Sequence, residues 1–147
     1  MTIPSVTKFI SINATPGEVW HALTDVTLIP KWMSETEMIV NTDWTPGSSI
    51  IIQGRWHKMR YKNTGTVLQF DPGRVLSYSH LSSLSQLPDR PENHSILTFT
   101  LDHASDGALL RLTLSNSPTY EIHKHLDFYW NVTLDELRKF VEHQLRP

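Results

Sequence analysis

Tyr78 and His80 are the side chains in this sequence best placed to do chemistry together. They stand two apart in RVLSYSHL, a segment whose alternation reads as a strand, so both leave the backbone on one face. Leu76 shares that face, and a phenol and an imidazole on an otherwise apolar wall are convergent polar groups able to orient a ligand. The competing reading is structural, since a buried hydroxyl or imidazole is ordinarily hydrogen-bonded to the protein itself. His80 also ends its strand beside the loop spanning Ser82 to His94, where water could solvate it.

The eight histidines invite a metal, but their spacing argues against one. His123 and His125 are two apart at the start of a helix and so on different faces, unlike the i, i+4 pair of helical zinc sites. His57, His94, His103 and His143 fall in or beside turns and the chain end, and no carboxylate-plus-histidine cluster joins them. No metal and no cofactor is expected. The absence of cysteine removes thiol nucleophiles, thiolate metal sites and disulfides. There is no Gly-x-Ser-x-Gly elbow, phosphate-cradling glycine loop or dinucleotide fingerprint. Asp25, Glu35 and Glu37 could act as acid–base groups at a cavity mouth, but their charge-rich context reads as solvated surface, so no catalytic residue is assigned. The run Arg55, Lys58, Arg60 and Lys62 around a hairpin would attract an acidic head group or acidic partner protein; a solvated rim is the plainer reading.

The elements that must position these groups follow from periodicity and turn chemistry. Residues 3–12 read as a first strand, with Val6, Lys8, Ile10 and Ile12 on one parity and Phe9 on the other. In ATPGEVWHALTD, Thr15 is an N-cap, Pro16 the first helical residue and Glu18 the capping-box acid, while Val19, Trp20 and Leu23 recur at helical spacing. LIPKWM predicts a second short helix, with Pro30 opening its final turn. From Glu35 to Ser115 the breakers fall at strand-and-turn spacing, between EMIVNT, SSIIIQGRW, TGTVLQFD, RVLSYSHL, SILTFTL and ALLRLTLS. The last pair forms a hairpin turning on Asp106-Gly107. With no helix between them, these strands and the first predict a seven-stranded antiparallel sheet. Pro118 onward is a long amphipathic helix whose stripe is Leu126, Trp130, Thr133, Leu134, Leu137 and Val141; roughly 25 residues would make a rod near 37 Å long. A twisted sheet curls away from a straight rod, so the gap must be filled by large side chains or left as a pocket. Strand parity puts Leu76, Tyr78, His80, Leu97, Phe99, Leu101, Leu110, Leu112 and Leu114 on the face toward it.

Bulk properties set the outer limits. The chain's 147 residues, 39% of them hydrophobic, suit one domain over residues 1–147 with one core. A net charge of −2 gives no global attraction to nucleic acid or an anionic membrane. The start MTIPSVTKFISINATP lacks a basic segment followed by a long apolar run, and no stretch nears the roughly 20 apolar residues a membrane span needs, so a cytoplasmic location is the default expectation.

The opening ISINATPGEVWHALTDVTLIPKWM resembles the start of the SRPBCC (START-like) superfamily, in particular the group named after the C-terminal domain of the activator of heat-shock protein 90 ATPase. WTPGSSIIIQGRW, GTVLQFDPGRVLSYSH and YWNVTLDELRKFVE follow in that family's order, so the likeness covers nearly the whole chain. Its most specific pieces are Ala14, Val19 and Trp20 in the first helix, Gly65-x-Val67 with Pro72 after it, and the Trp130, Leu134, Leu137 ending. The resemblance implies an α+β helix-grip fold with an internal cavity, and implies less about chemistry because that fold hosts transporters, cyclases, sensors and co-chaperones. Within 147 residues there is no room for the co-chaperone's additional N-terminal domain, which puts ATPase stimulation and a chaperone partner in doubt.

The leading expectation is therefore a binder of an apolar, aromatic or lipid-like small molecule. Trp32, Trp56 and Trp130 are expected to border the cavity, though core filling would explain them equally. Tyr78 and His80 would orient the ligand, with Phe99 and Leu134 completing the contacts. Trp20 reads as packing on the sheet edge and Trp44 as a turn-packing residue. The alternatives are a cyclase or hydrolase using the same cavity and a protein-interaction module; the sequence leaves a homodimer open.

Overall fold

Alternation along VTKFISI makes β1 (Val6–Ile12), with Ile12 buried and Phe9 outside at 62% exposure. The capping box then starts α1 (Pro16–Thr24): the Thr15 hydroxyl accepts from the Glu18 backbone N–H at 3.2 Å, and the Glu18 carboxylate accepts from the Thr15 N–H at 2.9 Å. α2 (Ile29–Met33) is a single turn, so Pro30 stands in its first turn and not, as expected, at the start of its last. The structure, a computed structural model, describes residues 3–145.

Six strands follow: β2 (Met38–Asn41), β3 (Ser49–Trp56), β4 (Met59–Asp71), β5 (Val75–His80), β6 (Ser95–Ala104) and β7 (Gly107–Ser115). They form one antiparallel sheet in the order β1-β7-β6-β5-β4-β3-β2, the seven-stranded α+β arrangement expected. β4 begins at Met59, five residues before the segment TGTVLQFD, so the basic run lies on a long β3–β4 ribbon. Register between β4 and β5 shifts at Leu68, a bulge of the kind that bends a strand and deepens sheet twist. The β6–β7 hairpin pairs Ala104 with Gly107, which moves its loop to Ser105-Asp106; Gly107 takes a φ of 146° that disfavours other residues. Two 3₁₀ turns (Ser83–Ser85 and Pro91–Asn93) shape the long loop.

α3 (Tyr120–Phe140) is capped by the Thr119 hydroxyl and runs on into a π turn, Val141–Leu145. Its 21 residues span roughly 31 Å, somewhat shorter than expected because the helix starts after Pro118 and Thr119. All six residues of the predicted stripe are buried. The helix is tied to the first strand by the Lys8 ammonium, which contacts the Asp127 carboxylate and the Asn131 side-chain oxygen. Leu97, Phe99, Leu110, Leu112 and Leu114 face it from the sheet, each 2% exposed or less.

Trp130 sits at the centre of this layer at 2% exposure. Trp130→Ala should lower the unfolding free energy by about 3–5 kcal/mol, measured by urea titration. A variant that melts like the wild type would contradict this placement of the helix face.

Candidate functional site

The space between sheet and α3 is crossed by a connected chain of rings. Phe70 stacks on Trp44 (centroids 5.9 Å apart), Trp44 meets Tyr78 (6.3 Å), Tyr78 stacks on Phe99 (6.4 Å), and Phe99 meets Trp130 edge-on (5.5 Å). Trp130 in turn touches Trp32 and Tyr129. The polar ends of three of these rings are anchored to backbone carbonyls between α1 and the end of α2. Trp32 Nε1 donates to Ala22 O (3.0 Å), Trp44 Nε1 to Thr24 O (2.7 Å) and the Tyr129 hydroxyl to Met33 O (2.7 Å). These bonds hold the α1–α2 segment over the mouth of the sheet.

Between these rings lies a narrow, largely apolar void of about 10 Å³. Its wall includes Trp32, Trp44, Tyr78 and Phe99 with aliphatic side chains of β2, β3, α1 and α2. That is room for about one water, not for a small molecule. The expected ligand-sized cavity is thus filled by side chains in this structure: the rings and leucines occupy the gap that sheet curvature opens. A wider open depression of about 320 Å³ lies on the surface beside Lys31 and the C-terminal part of α3, but Glu136, Arg138, Lys139 and His143 line it, with the edge of the core residue Phe140.

Tyr78 differs from its neighbours. Its side chain is 5% exposed and on the void wall, and among the described residues its hydroxyl has no hydrogen bond. Burial, with the Tyr129 phenol nearby, pushes its proton affinity well above the ordinary tyrosine range. Tyr129 is itself pushed up to about 12, mainly by burial. Tyr78 therefore stays a neutral donor at every physiological pH.

His80 is on the same face one step further along β5, paired with Ser95 of β6. Across from it on β4 stands Gly65, where a methyl group would overlap the Ser79 carbonyl, so the two strands approach too closely for any other residue. Burial, then the proximity of His94 and His125, brings the His80 imidazole down to about 4. His94 Nε2 lies 2.6 Å from Asp89 Oδ1, while His94 Nδ1 and Asn63 Oδ1 are buried without a hydrogen-bond partner. Among the described residues no three His, Asp or Glu side chains converge as a metal site.

Of the residues singled out from sequence, Trp32, Tyr78 and Phe99 line the void, and Trp130 packs against two of them. Leu134 is buried on the inner stripe of α3, and His80 lies next to Tyr78 at the end of β5. Trp56 is elsewhere: it sits at the tip of the β3–β4 ribbon, 59% exposed, because the strands outrun the helices that cover the sheet. Trp44, assigned to a turn, is a wall residue; a positive φ of 63° turns its ring inward from the turn. Asn63 and His94 were missed. Asn63 shares parity with Gly65 and Val67, a signal visible only once β4 is extended back to Met59.

The sequence model of the family described as "Activator of Hsp90 ATPase homolog 1-like protein" matches residues 13–142. Comparison with curated proteins finds no match. Among solved structures, protein ChR145 from Cytophaga hutchinsonii is 35% identical, covers 100% of this chain and 99% of its own, and superposes with a TM-score of 0.81. The Aha1 dimer from Colwellia psychrerythraea is 22% identical over 96% of this chain and 98% of its own, with a TM-score of 0.74. CalU16 from Micromonospora echinospora is 24% identical over 99% of this chain and 83% of its own, with a TM-score of 0.72. The last two likenesses concern the fold alone.

The His80 environment has a consequence for pH. Its folded value near 4 lies below the 6.5 of a free imidazole, so between those values the unfolded chain binds the extra proton. Acidification through that window should favour unfolding, with a slope of at most about 1.4 kcal/mol per pH unit from this group, and above it the contribution is constant. Urea titrations across the window should show the slope in the wild type and a flatter one in His80→Gln. An NMR titration in which folded His80 protonates at the free-imidazole value would contradict the assignment.

Proposed function

The chain belongs to the Activator of Hsp90 ATPase homolog 1-like family, and from that premise we propose that it is a binding module for an apolar, aromatic or lipid-like small molecule held between the sheet and α3. The observation that carries this reading is the ring-lined, largely apolar void with the Tyr78 side chain on its wall, whose hydroxyl has no hydrogen bond among the described residues. A ligand oxygen or nitrogen that pairs with this hydroxyl would gain about 0.5–1.5 kcal/mol, the net value of one hydrogen bond. Trp32, Phe99 and Trp130 supply ring faces, Leu134 an aliphatic floor, and Tyr78 with His80 the orientation. Trp56 plays no part in this pocket.

A void for one water must widen to admit such a ligand. The element suited to move is α2, a single turn without a side-chain N-cap, held through the Tyr129 bond to Met33 and the Trp32 bond to Ala22. The ligand replaces ring–ring contacts with ring–ligand contacts and adds its own apolar burial, at about 25 cal/mol per Å².

Native mass spectrometry of gently purified protein and titration with an apolar fluorescent dye test the proposal. The expected result is saturable binding of one molecule per pocket. Tyr78→Phe should keep the melting temperature within a few degrees and weaken carbonyl- or hydroxyl-bearing ligands about fivefold, the value of one hydrogen bond. A protein that carries nothing and binds no dye would favour a closed, packed core.

A further inference from the structure

The β3–β4 ribbon ends in a feature that the interior pocket does not use. Residues 55–62 hold Arg55, Lys58, Arg60 and Lys62 with no acid among them, in a chain whose net charge is −2. One ion pair engages this group among the described residues, Arg55 with Glu37 at 3.6 Å, leaving Lys58, Arg60 and Lys62 without one. Arg55 and Arg60 are directly opposite each other across the two strands, an arrangement that like charges disfavour. Trp56 and Met59 form the next cross-strand pair, 59% and 53% exposed. By strand parity they stand on the face shared with Ile50, Ile52 and Gly54, while Arg55, Arg60 and Lys62 stand on the other. The Trp56 ring leans on His57, which takes a φ of 57° at the turn, so both rings remain at the tip instead of folding back onto the sheet.

We propose that the β3–β4 tip docks on an anionic lipid surface, with Trp56 and Met59 entering the head-group layer and Lys58, Arg60 and Lys62 held against the lipid charges. Two features favour a bilayer over an acidic protein. The tip's apolar pair is a tryptophan beside a flexible thioether, and tryptophan settles at the head-group level where an amphipathic ring meets both phases. Lys58 lies in the turn between Trp56 and Met59, and Arg60 follows Met59 directly, so these cations flank the apolar pair at the end of the ribbon. This inference stands whether or not the interior takes a ligand.

Co-sedimentation with vesicles separates the outcomes. The wild type should sediment with an equal mixture of phosphatidylcholine and phosphatidylserine and stay in solution with phosphatidylcholine alone, and raised salt should release it. Lys58→Ala, Arg60→Ala and Lys62→Ala should each weaken binding roughly fivefold, the value of one charge near an anionic surface. Trp56→Ser with Met59→Ser should weaken it tenfold or more while leaving the charge count intact. These residues are exposed, so unchanged circular dichroism and melting temperature will show that each variant is folded. No sedimentation with the mixed vesicles at low salt would overturn the proposal. So would binding that ignores the Trp56/Met59 change, or equally tight binding to polyglutamate in solution, which would assign the tip to an acidic polypeptide.

Discussion

A straight helix laid across a bowed sheet leaves a gap that only large, flat side chains can close, and the rest of this structure answers to that mismatch. Trp130 projects from the middle of α3 into the widest part of the bowl and meets Phe99 edge-on from β6. Trp32 reaches the same ring from α2, so one indole joins sheet, long helix and covering helix. Ring pairs of this kind add about 0.5–1.5 kcal/mol each beyond the area they bury, and they hold their partners at fixed angles. The aliphatic strand residues alone could not do this, because leucines on a curving sheet diverge from a straight rod instead of meeting it.

Filling the bowl with rings brings polar atoms inside, and the fold disposes of most of them in one way. Trp32, Trp44 and Tyr129 all donate to main-chain carbonyls of the α1–α2 segment, which thereby becomes a cover pinned by the very side chains that fill the core. Packing and closure are the same set of contacts. Tyr78 breaks the pattern: it lines the void, and among the described residues its hydroxyl has no hydrogen bond. His80 lies beyond it, kept neutral by burial and by two neighbouring imidazoles. An interior with neutral donors and acceptors at one end and rings along its length suits an uncharged, largely apolar occupant better than an ionic one.

Most of the architecture was legible because it is written in local chemistry. The capping box at Thr15 and Glu18, the stripe from Leu126 to Val141, and the alternation of β5, β6 and β7 all depend on residues a few positions apart. β4 was read short because Met59 to Asn63 carry polar residues on both parities: Arg60 and Lys62 face out, while Tyr61 and Asn63 face in without looking apolar. Trp44 was misread because a tryptophan before Pro-Gly announces a turn, and only the αL backbone sends its ring inward. The volume of the void was out of reach altogether. It depends on how rings from four elements interlock, and a residue's type sets its size but not the partner it meets. Trp56 shows the same limit: it was expected to border the cavity and its strand does wall the void through Ile50 and Ile52, yet nothing local says where the cover ends.

That last residue ties the two ends of the molecule together. Ile50 and Ile52 wall the void, and Gly54 and Trp56 continue the same face of β3. Trp56 stands four positions beyond Ile52, roughly 13 Å of extended chain. A side chain at Gly54 would strike the Tyr61 ring and the Glu37 carbonyl, so the ribbon is bare there and the Tyr61 phenol can lie across it. The concave face thus runs without a break from rings sealed under α2, past a glycine step, to an exposed indole flanked by cations. A surface that grades from dry and apolar to wet and cationic within one ribbon has the polarity profile of a bilayer leaflet read from its core outward.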